Sequence, residues 1–168
     1  MNRFIILLAV MTIALTSGVV GRGQTEAAGA LKEVKVFFYF IGKDGTDEQI
    51  LPVKRQVSAA APLYPAIEAI LEGPTAAEKA LGYTTTRYGP MKLLSVKFTK
   101  TTARIDFSRE ILPNSNPGDL ETLRFREAVM RTAEQFPSVK KVIVCVNGMN
   151  EFGVGMEIDR PIPCPKSP

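Results

Sequence analysis

Two pairs of carboxylates are the side chains whose spacing could support chemistry in this chain. Glu68 and Glu72 stand four residues apart on a predicted helix, and Asp106 and Glu110 flank the end of a predicted hairpin. Two carboxylates facing one another across a substrate are the catalytic groups of most glycoside hydrolases. Because a carboxylate pair on a helix surface is usually only a solvated face, no catalytic residue is predicted. The alternative interpretation of these carboxylates is a hydrolase that uses one pair for catalysis.

Composition excludes catalytic sites that depend on histidine. The chain of 168 residues has no histidine, which excludes Ser-His, Cys-His and His-metal sites. Residues 44–48 (DGTDE) lack the ligand spacing of a calcium loop and are predicted to form a turn. The net charge of +4 is too small an excess to indicate a nucleic-acid partner. The sequence predicts neither a cofactor nor a metal.

Both cysteines, Cys145 and Cys164, lie in the last part of the chain. In an oxidising compartment they can pair, which would tie the Pro-rich segment 159–168 (DRPIPCPKSP) to the strand that contains Cys145. Two cysteines without histidine make a poor zinc site, because zinc generally takes four nitrogen or sulfur ligands. The sequence therefore predicts a disulfide, with two separate thiols as the alternative.

The first 30 residues do not have the pattern of a globular segment. Arg3 precedes an uncharged apolar run, Phe4–Val20, and small and polar residues follow it, as in a secretory signal. The run is near the lower length limit for crossing a bilayer, so we expect membrane anchoring through residues 4–20 if the leader is not cleaved. It contains no cysteine for lipid attachment. Residues 1–30 are predicted to be a signal peptide or an N-terminal anchor plus a linker.

Hydrophobic periodicity predicts the elements of the domain that follows. In chain order these are strands at 34–41 and 50–57, helices at 61–73 and 75–82, a hairpin at 91–108, a helix at 120–136 and a strand at 139–148. The aromatic run at 37–40 (FFYF) is predicted to fill the core. This order predicts an α+β fold with a single mixed, mainly antiparallel sheet and helices packed on one face.

Backbone signals are concentrated between the first two helices. Gly73 and Pro74 are predicted to end the first helix, since glycine adopts left-handed backbone and proline cannot continue a helix. Thr75 and Glu78 have the spacing of a capping box, which predicts the start of the second helix, and Gly82 is predicted to end it.

Side-chain alternation predicts which faces are buried. On the hairpin, the core-facing residues are predicted to be Leu94, Val96, Phe98, Ala103, Ile105 and Phe107. On the helix at 120–136, the predicted buried stripe is Phe125, Val129, Ala133 and Phe136, whereas Arg124, Arg131 and Gln135 are predicted to face water.

Candidate partner-binding residues lie in a polar stretch and on one strand. Tyr83, Arg87 and Tyr88 belong to GYTTTRYGP, and loops carry recognition more often than strands do. The alternative is that the two tyrosine rings merely cover the edge of the sheet. Arg55, on the second strand, is predicted either to form an ion pair near Glu72 or to face a partner.

Taken together, the motifs resemble the GerMN domain, the sporulation and spore germination domain family of bacterial envelope proteins. The resemblance covers Val34 to Gly148, and its most specific part is the run L-x-G-P-T-x-x-E at 71–78 followed by Gly82. The runs R-I-D-F-S at 104–108 and T-x-x-Q-F-P at 132–137 agree in order and spacing.

The resemblance implies a GerMN-like domain at 31–150, followed by a Pro-rich tail at 151–168. It implies a non-enzymatic interaction module outside the cytoplasmic membrane, secreted or attached to the outer face of that membrane. The expected partner is an envelope protein or peptidoglycan. The alternatives are a cell-wall hydrolase that uses Asp106 and Glu110, or a purely structural accessory domain.

Overall fold

Over the described residues, the fold combines β-strands with three α-helices. The structure is a computed structural model and describes residues 29–87, 89–108, 119–149 and 163–165. The elements are β1 (Leu31–Ile41), β2 (Glu48–Ser58), α1 (Leu63–Glu72), α2 (Ala76–Ala80), β3 (Tyr83–Thr84), β4 (Leu93–Thr99), β5 (Thr102–Phe107), α3 (Asp119–Glu134) and β6 (Lys141–Val146). The order matches the predicted one except for β3, which was predicted to be loop.

These strands form two sheets, in the orders β2-β1-β3 and β4-β5-β6. All pairings are antiparallel except that of β5 with β6, which the intervening helix α3 makes parallel. The predicted α+β class and mixed, mainly antiparallel pairing are confirmed. The strands are divided between two sheets, however, and are not joined in the single sheet that was predicted.

The division follows from how the edge of β1 that faces away from β2 is occupied. The short strand β3 pairs with β1 only at Tyr39 and Phe40. Further back, the side-chain amide of Gln135 donates to the carbonyl of Lys35 and accepts from its N–H, at 2.6 and 2.7 Å. The N–H of Phe37 donates to the hydroxyl of Thr132 at 3.1 Å. Side chains of α3 and its C-terminal turn therefore stand where a neighbouring strand would pair.

One hydrophobic core connects both sheets with α1 and α3. It contains the inward residues of β1 and β5, and the apolar stripe of α1 contributes Ile67 and Ile70, both fully buried. The predicted stripe of α3 is confirmed, because Phe125, Val129, Ala133 and Phe136 are all buried. The Phe125 ring meets Phe107 edge to face, with centroids 5.1 Å apart.

On the polar face of α3, Arg131 is exposed as predicted, whereas Arg124 and Gln135 are half-buried and differ from the prediction. Arg124 forms an ion pair with Glu48 at 2.8 Å, and Arg131 donates to the carbonyl of Ile50 at 2.9 Å. Gln135 bonds the backbone of β1, as described above. All three side chains fasten α3 to the β1–β2 hairpin, across sequence separations of 76 to 100 residues.

The β4–β5 hairpin corrects two predicted core residues, because Leu94 and Phe98 are both about half-exposed, at 53% and 48%. A register shift between Leu93 and Ser95 places Leu93, and not Leu94, opposite Phe107. Leu94 is consequently exposed. A bulge of this kind adds one residue to a strand and rotates the side chains beyond it to the other face. The predicted turn at Lys100 is present, with φ +53° at a non-glycine residue.

The termini fall largely outside the described residues. The structure contains the Cys145–Cys164 disulfide, with Cα atoms 6.0 Å apart. The predicted leader lies outside the described residues up to residue 28, and so does most of the predicted tail. Within the described ranges, no helix has the length and apolar character needed to cross a membrane.

Candidate functional site

Arg55 is held by the capping box that begins α2. The Thr75 hydroxyl accepts from the N–H of Glu78 at 3.3 Å, and the Glu78 carboxylate accepts from the N–H of Thr75 at 2.8 Å, so the predicted box is confirmed. Two nitrogens of Arg55 donate to the two oxygens of Glu78 at 2.5 and 2.6 Å. The guanidinium of this predicted binding residue is therefore engaged within the domain, by Glu78 and not by Glu72.

This two-pronged ion pair lowers the pKa of Glu78 from 4.5 to about 2, chiefly through the hydrogen bonds from Arg55 and, less strongly, through the bond from Thr75. The hydrogen bonds to Glu78 also raise the pKa of Arg55, and the charge of Glu78 adds to this effect. Both side chains are about four-fifths buried, at 20% and 17% exposure. The pair therefore connects β2 to the start of α2 more firmly than a surface ion pair would.

We expect the substitution Glu78→Gln to reduce the free energy of unfolding by about 2 kcal/mol at neutral pH. This value is smaller than the energy that corresponds to the full pKa shift, because the pair is partly exposed. The folded pKa lies below the ordinary value. The contribution is therefore complete above pH 4.5 and is lost as the pH falls towards about 2. Urea unfolding of both proteins at several pH values measures the difference.

The matched control is Glu33→Gln, which removes the exposed ion pair of Glu33 with Lys54. This change should cost less than about 0.5 kcal/mol at every pH. A Glu78→Gln effect that stays constant from neutral pH to the acid limit would show that the ion pair does not supply the stability.

The predicted residues of the polar stretch have different positions. The Tyr83 ring packs edge to face on Phe40, with centroids 5.3 Å apart, and contacts the core. Arg87 is exposed and lies after β3, where its N–H donates to the hydroxyl of Thr85 at 3.1 Å. Tyr88 lies outside the described residues. Their assignment as partner-binding residues stays a prediction.

A polar cleft of about 250 Å³ lies at the edge of β1 where β3 ends. Its walls come from the end of β1, from the residues that follow β3 and from the first turns of α3. The lining residues are Tyr39, Ile41, Thr84, Thr85, Thr86, Arg87, Glu121 and Arg124. Of the predicted binding residues in the described chain, Arg87 is the one that lines this cleft.

Two buried hydroxyls of the cleft lining have no hydrogen-bond partner among the residues that the structure describes. They are those of Tyr39 and Thr86, residues that are 7% and 5% exposed. Burial raises the pKa of Tyr39, and the nearby Glu48 carboxylate raises it further, although the pair does not reach hydrogen-bond geometry. The guanidinium of Arg124 stacks 3.8 Å from the centroid of the Tyr39 ring and opposes this effect.

The cleft is therefore rich in hydrogen-bond donors. Arg87 and Arg124 present guanidinium groups, and Glu121 is the carboxylate in the lining. A buried hydroxyl without a partner costs about 1 to 3 kcal/mol, and such groups in native proteins are commonly completed by a ligand, an ion or ordered water. This arrangement suits the carbonyl, carboxylate and hydroxyl oxygens of a peptide or glycan.

Only part of this cleft is evident from the sequence. Tyr39 was assigned to the core as one of four consecutive aromatic residues, and it is indeed buried. Thr84 to Thr86 were not singled out, although three threonines in a row beside Arg87 are a local polar signal. The contribution of Arg124 was missed, because the contact between α3 and the end of β1 is long-range.

Of the candidate carboxylates, Asp106 is engaged in a turn of the described chain. Asp106 accepts from the N–H of Gly148 at 3.0 Å and has Arg104 at 4.0 Å, so it supports the turn after β6. Its predicted companion, Glu110, lies outside the described residues. Asp44 accepts from the N–H and hydroxyl of Thr46, which forms the predicted turn. No cluster of metal-ligating side chains occurs within the described ranges.

Comparison with known proteins identifies the family. The family model for sporulation and spore germination (Germane) matches residues 37–151. The chain belongs to this family. No curated protein matches it.

Solved structures give the same fold. The tandem GerMN domains of the sporulation protein GerM from Bacillus subtilis align with a TM-score of 0.55 and 22% identity, over 81% of this chain and 45% of that one. The first GerMN domain of the same protein aligns with a TM-score of 0.50 and 25% identity, over 77% of this chain and 97% of that one. The present chain therefore contains a GerMN-type domain and spans less than half of the tandem structure.

Proposed function

We propose that this GerMN-type domain is a non-enzymatic interaction module that works outside the cytoplasmic membrane. In this proposal it binds an envelope protein or a cell-wall component through the cleft between Tyr39, Thr86, Arg87 and Arg124. Membership of the sporulation and spore germination family supports the setting. The observation that carries the proposal is the pair of buried hydroxyls without partners in a cleft lined by arginines.

The chemistry of the lining favours a ligand that accepts hydrogen bonds. Arg87 is exposed and can move to meet a carboxylate or carbonyl, and its planar guanidinium can donate two parallel bonds. The hydroxyls of Tyr39 and Thr86 can complete their hydrogen bonding when a ligand opens the cleft. Peptide and glycan segments of the envelope supply such oxygens.

We expect Arg87→Ala to weaken retention of the full chain on its partner roughly tenfold, which corresponds to loss of about one charged hydrogen bond. The measurement is co-sedimentation with purified peptidoglycan, in parallel with pull-down from an envelope extract. Lys79→Ala is the matched control, because it also removes one exposed positive charge but lies on α2, outside the cleft lining.

A second variant separates binding from folding. Thr86→Val keeps the shape of the side chain and removes a buried hydroxyl that has no partner, so the folded state should be equally stable or slightly more stable. Binding should fall. Equal retention of the Arg87→Ala and Lys79→Ala proteins, or turnover of peptidoglycan by the unmodified chain, would contradict the proposal.

A further inference from the structure

A second surface of the domain is apolar and lies open. It is a groove of about 360 Å³ between the start of α1, strand β4 and the residues after α3. Tyr64 and Phe98 line it and are 40% and 48% exposed, while Val96 and Phe136 form its more buried floor. Aromatic side chains that stay half-exposed beside a core are typical of interaction surfaces.

The groove lies at the end of the domain where the chain enters from its N-terminal segment. The N–H of Ala59 donates to the carbonyl of Ala30 at 2.8 Å, and Ala60, the next residue, lines the groove. The ammonium group of Lys32 lies 5.4 Å from the centroid of the Phe136 ring. Residues 21–28, which separate this end from the apolar run at 4–20, can span at most about 30 Å.

Several lysines belong to the segments at the same end. Besides Lys32, Lys100 follows Phe98 by two residues in the hairpin turn, and the N–H of Lys140 donates to the carbonyl of Thr101 in that turn. The carboxylates of this end are Glu33, which pairs with Lys54, and Glu68 and Glu134 on the bordering helix turns, so four lysines stand against three carboxylates. A combination of exposed aromatic residues and lysines is characteristic of surfaces that rest at the headgroup level of anionic membranes.

The two surfaces of the domain lie at opposite ends. Strand β1 runs from Lys32 beside the groove to Ile41 in the cleft, about 30 Å at the rise of a strand. Helix α3 runs the other way, with Arg124 in the cleft near its start and Phe136 in the groove after its end. A bilayer that contacted the groove would therefore leave the cleft facing away from the membrane.

We propose that this groove is a membrane-contacting surface that rests on anionic lipid and holds the polar cleft outward. The position of chain entry, the lysines at this end and the exposed rings of Tyr64 and Phe98 all fit this occupant. The proposal is independent of what the cleft binds, since the two surfaces share no lining residue.

The absence of tryptophan from the sequence allows a direct test. Phe98→Trp introduces a single tryptophan into the groove of the full chain, and vesicles of brominated anionic lipid quench tryptophan that reaches the bilayer. The control is Leu81→Trp, at a position 65% exposed beside Gly82, which bonds Ile41 at the far end of β1. We expect the fluorescence of the Phe98→Trp protein to fall on vesicle addition while that of the Leu81→Trp protein stays unchanged.

The comparison is decisive even if residues 4–20 anchor the chain, because anchoring acts on both variants alike. Quenching restricted to Phe98→Trp, and smaller with brominated zwitterionic lipid, supports the proposal. Equal quenching of the two variants, or none, overturns it. A blue shift of the Phe98→Trp emission that grows with protein concentration and needs no vesicles would also overturn it, because a second copy would then occupy the groove.

Discussion

Replacement of Gly82 by alanine is expected to lower the free energy of unfolding by about 3 to 4 kcal/mol. Gly82 has φ +107°, a conformation that residues with a side chain rarely adopt. A Cβ atom there would lie 2.5 Å from the carbonyl oxygen of Ile41 and 3.2 Å from the Phe40 ring. The backbone cannot easily retreat, because the N–H of Ile41 donates to the Gly82 carbonyl at 3.0 Å.

Gly45→Ala is the matched control for this prediction. Gly45 also has positive φ, at +72°, but a Cβ atom there would meet nothing within 4 Å. This change should therefore cost only the backbone term, about 1 kcal/mol. Urea unfolding measures both variants, and similar losses for the two would show that the close approach of Gly82 to β1 does not matter.

Breaking the Cys145–Cys164 disulfide is expected to cost about 3 kcal/mol of stability. The bridge closes a loop with a sequence separation of 19, and constraining a loop of this size in the unfolded chain accounts for about that amount. The two cysteines form a small buried cluster with Ile143, separate from the main core. Thermal unfolding with and without reductant should show a lower midpoint for the reduced protein.

The double substitution Cys145→Ser with Cys164→Ser is the control. Its melting temperature should lie near that of the reduced native chain and should not respond to reductant. If reductant lowers both midpoints equally, it acts elsewhere. If the reduced and oxidised native chains melt together, the bridge contributes no net stability.

Local patterns predicted the backbone well, because the signals act over a few residues. The capping box of Thr75 and Glu78, the positive φ of Gly73 and the apolar stripe of α3 all depend on neighbours within one or two helical turns. The bulge after Leu93 could not be predicted, because alternation continues through it in the sequence and only the pairing with β5 shows the shift.

Long-range polar contacts account for what the sequence did not predict. Arg124 and Gln135 look like solvated residues of an amphipathic helix, and their partners become evident only when α3 lies against the first sheet. The cleft has the same origin. Its arginines and hydroxyls come from three segments of the chain. Among these side chains, only Arg87 has a local sequence context that indicates binding.

The contacts of Gln135 and Thr132 with β1 limit how copies of this domain can assemble. A strand from another molecule needs free N–H and C=O groups along a sheet edge. At Lys35 and Phe37 those groups are already bonded to side chains of the same chain. On the outer edge of that sheet, Pro52 in β2 has no N–H to offer. Crowded copies are thus hindered from polymerising through the β2-β1-β3 sheet.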